Sequence, residues 1–253
     1  MPTQESKPSL SFCLAAYNEE DNVTAAIEEA IAVGRAGGYD FEVLVCDDGS
    51  TDRTAMIVKE LALKYPELHL IQHERNRGII ETFETVYRNA SKDYCFSNAT
   101  DLQVPMHAVE LLLPLLARCD IVVGQRRDKH YGFWRQVVSG LFNLLPPLLF
   151  GTLTYDAGTV KLWPRALLQS QRWVSRSPFR EAERLIRARR AGYRILPVFI
   201  PHYIRGEGES HGANPSLVLA AAVDVVRTWV DIFILRVPDS LTPRVSQSHD
   251  DFI

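Results

Sequence analysis

The feature that most constrains this chain is an alternation repeated four times along its first half: a short apolar run of strand length, then a segment of helix length. Leu10 to Ala16 is followed by Asn18-Glu19-Glu20-Asp21, side chains that suit a helix start by capping and by favouring the dipole. Phe41 to Cys46 precedes Thr51 to Leu63, Leu68 to Gln72 precedes Gly78 to Ala90, and Tyr94 to Ser97 precedes Val104 to Ala117; Asp120 to Val123 starts another apolar run. Strands separated by helices pair in parallel through crossovers, with helices covering both faces of the sheet. The expected fold is therefore α/β, a Rossmann-like, mostly parallel sheet with helices on both faces. With 253 residues, 46% of them hydrophobic, the chain can bury a sizeable core.

The expected organisation is a flexible lead-in over 1–9, one domain over 10–215, an amphipathic or interfacial helix over 216–237 and a polar tail over 238–253. The lead-in lacks the charged-then-apolar order of a secretory signal. Val137 to Leu153 and Leu217 to Val237 approach membrane hydrophobicity, but Pro146-Pro147 breaks the first, and Asp224, Arg227 and Asp231 interrupt the second, so neither reads as a span. A formal net charge of -3 gives no overall attraction for nucleic acid. The four cysteines have no metal-type or disulfide-scaffold spacing, which points to a reducing cytoplasm.

Ligands of such sheets collect beyond the carboxyl ends of the strands. Four polar clusters stand there: Tyr17-Asn18-Glu19, Asp47-Asp48-Gly49-Ser50-Thr51-Asp52, Asn76-Arg77-Gly78 and Asn98-Ala99-Thr100-Asp101-Leu102-Gln103. Ala15-Ala16-Tyr17-Asn18 lacks the glycines of a dinucleotide fingerprint. Carboxylates on such a rim would repel a polyphosphate unless they contact base and ribose or hold a divalent cation. The clusters point to a nucleotide site organised by metal.

In this order, Ala15 to Glu20, Asp47 to Asp52, Asn76-Arg77-Gly78 and Asp101-Leu102-Gln103 resemble the inverting family 2 glycosyltransferases of GT-A fold. The resemblance is nearer to their dolichol-phosphate mannosyltransferase-like branch, which moves sugar from a nucleotide to a polyprenyl phosphate. It continues through Tyr155-Asp156-Ala157-Gly158, Glu183 with Arg187, Gly192 to Ile195, Arg205 and Gly208-Glu209-Ser210, covering roughly residues 8 to 212. The resemblance implies a nucleotide pocket walled by Ala15, Tyr17, Glu19, Asp48, Asn76 and Gln103. It implies Mg2+ or Mn2+ held by Asp101 and the Gln103 carbonyl, an acceptor-side Asp156, and acceptor phosphate on Arg205 and Ser210. Asp101, Asp156 and Arg205 are the expected catalytic set. Taken alone, Asp48-Gly49-Ser50 and Asp156-Ala157-Gly158 also suit plain turns.

One position departs from the pattern: Ala99 stands where the family carries the first Asp of its Asp-x-Asp motif. Mg2+ often uses only one or two carboxylates, so Asp101 can serve with diphosphate oxygens and water, more weakly. Asn98 is one residue out of register, and adjacent strand side chains point to opposite faces. The arginines between Arg184 and Arg194 read mainly as a solvated helix face. His211 receives no catalytic role.

On a helix from Ser216, the residues Asp224, Arg227, Thr228 and Asp231 form a narrow polar stripe, with Leu217, Val218, Val225, Val226, Trp229, Ile232 and Phe233 around the rest. The apolar face suits packing on the domain, a homo-oligomer or small membrane partner, or a bilayer interface; an acceptor confined to the bilayer favours the last. The reading is a peripheral enzyme on the cytoplasmic membrane face, using a nucleotide-sugar donor and a polyprenyl-phosphate acceptor. Its rivals are a family 2 transferase with a hydroxyl acceptor, where Asp156 must be a true base, and a nucleotide-sugar-binding pseudoenzyme, motivated by Ala99.

Overall fold

The computed structural model describes residues 7–126, 144–203 and 215–237. Four parallel strands carry the first half: β1 (Leu10–Ala16), β2 (Phe41–Asp47), β3 (Leu68–Gln72) and β4 (Tyr94–Ala99). They alternate with α1 (Val23–Gly37), α2 (Thr54–Lys64) and α3 (Ile79–Asn89). Every residue of β1 is buried, as a central parallel strand covered on both faces requires. β5 (Ile121–Arg126), β6 (Lys161–Pro164) and β7 (Ile195–Ile200) complete a seven-stranded sheet in the order β3-β2-β1-β4-β6-β5-β7. Only β6 runs against its neighbours. The GT-A fold expected from the sequence is the fold observed, with the C-terminal helix in place.

One core cluster lies on the side of α1 and α2 and contains Leu10, Phe12, Leu14, Ile27 and Val58. A second, on the side of α3, gathers Cys13, Leu44, Tyr87 and Trp163. The helix expected over 104–117 is broken into a tight turn at Met106–Ala108, a single α turn α4 (Val109–Leu112) and a second tight stretch at Leu113–Ala117. The reason is Pro114, which lacks an N–H and crowds the carbonyl four residues back.

α5 (144–150), α6 (Arg165–Ser170), α7 (Arg180–Arg190) and α8 (Pro215–Trp229) form the second half with β5 to β7. Within α7 the solvated-face reading holds for Arg189 and Arg190 but is corrected for Arg184 and Arg187, which are buried, as is Arg180 before them. Burial is tolerated because each is paired: Arg180 with Glu81 (2.8 Å), Arg184 with Glu84, and Arg187 with Glu183 (2.8 Å) and Asp231 (2.6 Å).

α8 continues into a wider π turn at Val230–Leu235; Asp224, Thr228 and Asp231 of its polar stripe face the protein, while Arg227 is exposed. Asp231 takes a bidentate Arg172 (2.7 and 2.8 Å) besides Arg187, Asp224 accepts the N–H groups of Arg176 and Ser177 (2.8 and 2.7 Å), and Thr228 meets Ser175 at 3.3 Å. Burial alone would raise Asp231, but the hydrogen bonds from Arg172 and Arg187 outweigh it and hold the carboxyl below its ordinary range. Val225 and Ile232 pack with Phe150, Phe179 and Ile186 in a third cluster. Leu219 (67%), Val226 (61%), Ile234 (61%) and Leu235 (63%) are exposed, as are Leu148 (69%) on α5 and Leu153 (60%) just after it. No described helix is long and apolar enough to cross a membrane.

Candidate functional site

The parallel strands end on one edge, and the first two loops there are tied together by side chains bonding to backbone. The Asn18 N–H donates to Ser50 Oγ, Thr51 N–H to Asn18 Oδ1 and Glu19 N–H to Thr54 Oγ1, all at 2.9 Å. Asn18 sits at φ 52°, a left-handed conformation that Asn tolerates better than most residues. The turn leaves Tyr17 exposed while Glu19 is buried, its Oε2 accepting from Asn22 Nδ2 at 2.8 Å. The Ala15 carbonyl is used inside the fold, by the N–H and hydroxyl of Thr100, each at 3.2 Å.

Asp47 is fully buried and makes long contacts to the Ser50 N–H (3.3 and 3.4 Å). Asp48 anchors the loop after β3: its oxygens accept the N–H groups of Arg77 (2.9 Å) and Gly78 (2.8 Å), and His73 Nδ1 lies 2.7 Å away. His73 Nε2 meets Thr85 Oγ1 on α3 at 2.9 Å, so one buried imidazole ties Asp48, the loop and α3 together. Gly49 seals the arrangement at φ 70°, where a Cβ would come within 2.7 Å of Arg75 backbone. Beneath it, burial and the Asp48 carboxylate push the Cys46 thiol up to about 12, so it is neutral. Asn76 stands exposed on the same loop.

At the end of β4 the motif residues separate as their register requires. Asn98 is buried, its Nδ2 donating to the Val104 carbonyl at 2.9 Å. Asp101 is half-buried and accepts the Gln103 N–H at 3.2 Å across Leu102, a bulky residue at φ 57°. The Gln103 carbonyl accepts Tyr203 N–H at 2.8 Å, which leaves it one lone pair for a cation. No group of three His, Cys, Asp or Glu side chains among the described residues forms a ready-made metal cage. One carboxylate and one part-used carbonyl fit an ion that brings most of its ligands with a diphosphate.

Asp101 and Gln103 line a cavity of about 240 Å³ whose far side is made by Arg126, Thr159, Lys161 and Glu181. Arg126 also binds Asp156 through two hydrogen bonds of 2.7 and 2.8 Å. Lys161 Nζ donates to the Ala157 and Thr159 carbonyls at 2.7 Å and pairs with Glu181 at 3.0 Å, holding the 156–159 turn from below. Tyr155, preceding Asp156, is another left-handed residue at φ 52°. Non-glycine residues in this conformation thus adjoin Glu19, Asp101 and Asp156, which is where backbone strain is commonly stored.

The structure therefore brings Asp101, Gln103 and Arg126 to one cavity, with Asp156 bound to Arg126 and Tyr17, Glu19, Asp48 and Asn76 at the ends of the neighbouring strands. Arg205 and Ser210 lie outside the described residues. His73, Arg126 and Lys161 are absent from the sequence reading. Arg126 had a signal, standing at the end of a strand on the ligand-binding edge; His73 and Lys161 had none without knowledge of their partners.

The model of glycosyl transferase family 2 matches residues 11–181. An undecaprenyl-phosphate 4-deoxy-4-formamido-L-arabinose transferase of Pectobacterium carotovorum is 30% identical over 140 residues, 54% of this chain and 42% of the relative. A dolichol-phosphate mannosyltransferase of Pyrococcus furiosus is 28% identical over 139 residues, 51% of this chain and 38% of that one. The chain thus spans about two fifths of the length of these relatives. Among solved structures, glucosyl-3-phosphoglycerate synthase from Mycobacterium tuberculosis with Mn2+, UDP-glucose and phosphoglyceric acid aligns at a TM-score of 0.69 and 19% identity, covering 88% of this chain and 80% of that one. Matched over most of its length by the family model, the chain belongs to glycosyl transferase family 2.

Proposed function

We propose that this protein is an inverting glycosyltransferase that moves a sugar from a nucleotide-sugar donor to a polyprenyl phosphate at a membrane surface. The observation that carries the reading is the cavity that Asp101, Gln103 and Arg126 line together, with Arg126 also holding Asp156. The donor's base and ribose would lie along Tyr17, Glu19, Asp48 and Asn76, with its diphosphate toward Asp101 and Gln103. Mg2+ or Mn2+, held by Asp101 and diphosphate oxygens, would neutralise charge on the departing nucleotide. The acceptor oxygen attacks the anomeric carbon opposite the leaving diphosphate, so the configuration inverts.

Asp156 favours a phosphate acceptor over a hydroxyl one. A hydroxyl must lose a proton to a general base. Both Asp156 oxygens already accept from one guanidinium, a poor arrangement for taking a proton. A phosphate is anionic and needs no such base, and the relatives named above are transferases acting on undecaprenyl phosphate and dolichol phosphate. Arg205 and Ser210 remain the proposed acceptor-phosphate groups. The exposed leucines of α5 and the outer face of α8 suit insertion into a bilayer interface, where such an acceptor resides. Cytoplasmic placement belongs to the same reading.

The test is transfer of radiolabelled sugar from UDP- and GDP-sugars with Mn2+, offering undecaprenyl phosphate in vesicles beside soluble glycans. Label in organic-extractable lipid supports the reading, and label confined to aqueous glycan supports the hydroxyl-acceptor alternative. Ala99 motivates a second reading, a nucleotide-sugar-binding protein without turnover, for which nucleotide affinity would persist with no transfer from any donor.

A further inference from the structure

The turn that follows Asp156 is held in place by a buried cation. Its four residues, Asp156 to Thr159, are closed by the Thr159 N–H on the Asp156 carbonyl at 3.0 Å. The Ala157 and Thr159 carbonyls both accept from Lys161 Nζ at 2.7 Å, and Glu181 on α7 pairs with the same ammonium at 3.0 Å. These partners use all the donors an ammonium has, so Lys161 keeps none for a ligand. Its side chain is 3% exposed, and a charge so far from water persists because it is paired and hydrogen-bonded. The Lys161 N–H also donates to Ser97 Oγ on β4 at 3.3 Å. The lysine thus ties the turn to β4 and α7.

Gly158, inside this turn, is exposed and lines the cavity. The backbone does not require glycine there: Gly158 is not among the residues with positive φ, and a Cβ would meet nothing within 4 Å. Alanine would fit the protein as it stands. Glycine also serves where a ligand comes close to the backbone, and the cavity supplies that reason. The same cavity is lined by Asp101 and Gln103, the proposed metal and diphosphate end, and by Arg126, which holds the acceptor-side Asp156. The carbon that changes partner lies between diphosphate and acceptor, so the group that reaches the turn is the sugar in transfer. At about 240 Å³ the space is below the roughly 300 Å³ at which drug-sized pockets begin and suits one sugar ring. We propose that Gly158 is a specificity-determining contact for the transferred sugar, and that Lys161 is a positioning residue that fixes the backbone on which the sugar packs. The inference rests on the donor reading above and adds which backbone the sugar meets.

Gly158→Ala adds one methyl group and separates a ligand contact from a plain turn. The variant should melt no lower than the wild type, since the Cβ meets no protein atom and alanine narrows the unfolded ensemble. Calorimetry with Mn2+ should show UDP and GDP binding unchanged, while the best binder among UDP-glucose, UDP-galactose and GDP-mannose weakens roughly five- to a hundredfold, the effect of overpacking by a methyl. Lys161→Met should weaken the same sugar nucleotide and spare the nucleoside diphosphates, and Lys161→Arg, which returns a cation to Glu181, should recover part of the loss. A lowered melting temperature in Gly158→Ala, equal weakening of the sugar nucleotide and its nucleoside diphosphate, unchanged affinity for both, or an effect confined to the KM for undecaprenyl phosphate would overturn the contact. Loss of nucleoside diphosphate binding in Lys161→Met, or no recovery in Lys161→Arg, would overturn the positioning role. If the wild type binds nucleoside diphosphates but gains nothing from any attached sugar, this inference alone fails. If it binds no nucleoside diphosphate, the donor reading fails and takes this inference with it.

Discussion

The two halves of the molecule handle charge in opposite ways. From β1 to β4 the main core cluster is apolar, and most polar side chains gather at the strand ends, bracing loops through bonds such as Asn18 to Thr51 and Asp48 to Gly78, with Glu42 and Glu84 buried elsewhere. From α5 to α8 the arrangement is reversed. Arg184, Arg187, Glu183 and Asp231 are buried, while Leu148, Leu219, Val226 and Leu235 face outward. A helix whose carboxylates face in and whose leucines face out is oriented by its ion pairs and hydrogen bonds together with a small apolar seam. The outer face is thereby left apolar for another task. The contrast separates a half that builds the proposed donor edge from a half whose outer face is apolar.

Breaking the inward network should have the largest effect. Arg187→Ala leaves Glu183 without its guanidinium and removes one of the two cations on Asp231, and loss of one partner of a buried pair costs about 3–5 kcal/mol. Thermal unfolding checks it, and a melt within a degree of wild type would show that the network does not hold α8. Truncation after Pro215 removes Asp224 and Asp231 together and should lower the melt at least as far.

Acid probes the same contacts more gently. Asp224 and Asp231 are both held below their ordinary range, because hydrogen bonds outweigh the opposing effect of burial. Carboxyls lowered by folding add stability that is present above their unfolded value of about 3.9 and is lost as pH falls through the folded value. Hydrogen exchange in α8 should accelerate below about pH 4 before the amides of β1 do. Simultaneous loss would mean that the two halves unfold as one unit.

On the donor edge, His73→Ala should cost about 1–3 kcal/mol by leaving Asp48 and Thr85 short of a partner. His73→Asn, which can still reach Asp48, should recover part of it. Exchange of the Arg77 and Gly78 amides reports the loop directly. The smallest effect on stability belongs to the outer face: Leu219→Lys and Val226→Lys should stay within about 0.5 kcal/mol of wild type, as exposed substitutions do. The same pair should reduce flotation with liposomes. A large loss of stability with unchanged flotation would assign that face to the protein core.

What the sequence disclosed follows the same division. The alternation of apolar runs and helices located β1 to β4 to within about two residues, because parallel strands buried on both faces are continuously apolar. β6 escaped notice because it has four residues and begins with Lys161, whose burial depends on Glu181 and two carbonyls. The arginines of α7 resembled a solvated face because their partners are remote: Glu84 precedes Arg184 by 100 residues, and Asp231 follows Arg187 by 44. At the site, Asp101 and Asp156 were legible as polar residues in turns after apolar segments. The burial of Asn98 accords with strand periodicity. Asp48 was legible as a rim residue, but its grip on the 73–78 loop depends on a histidine that no local pattern marks.

The central claim is that the β4 edge is a donor site whose metal rests on Asp101 with Ala99 beside it. Calorimetric titration of UDP and GDP with Mn2+ into the wild type, Asp101→Ala and Ala99→Asp tests it most directly. The account predicts Mn2+-dependent binding in the wild type, its loss in Asp101→Ala and tighter binding in Ala99→Asp. Unchanged Mn2+-dependent affinity in Asp101→Ala would contradict it.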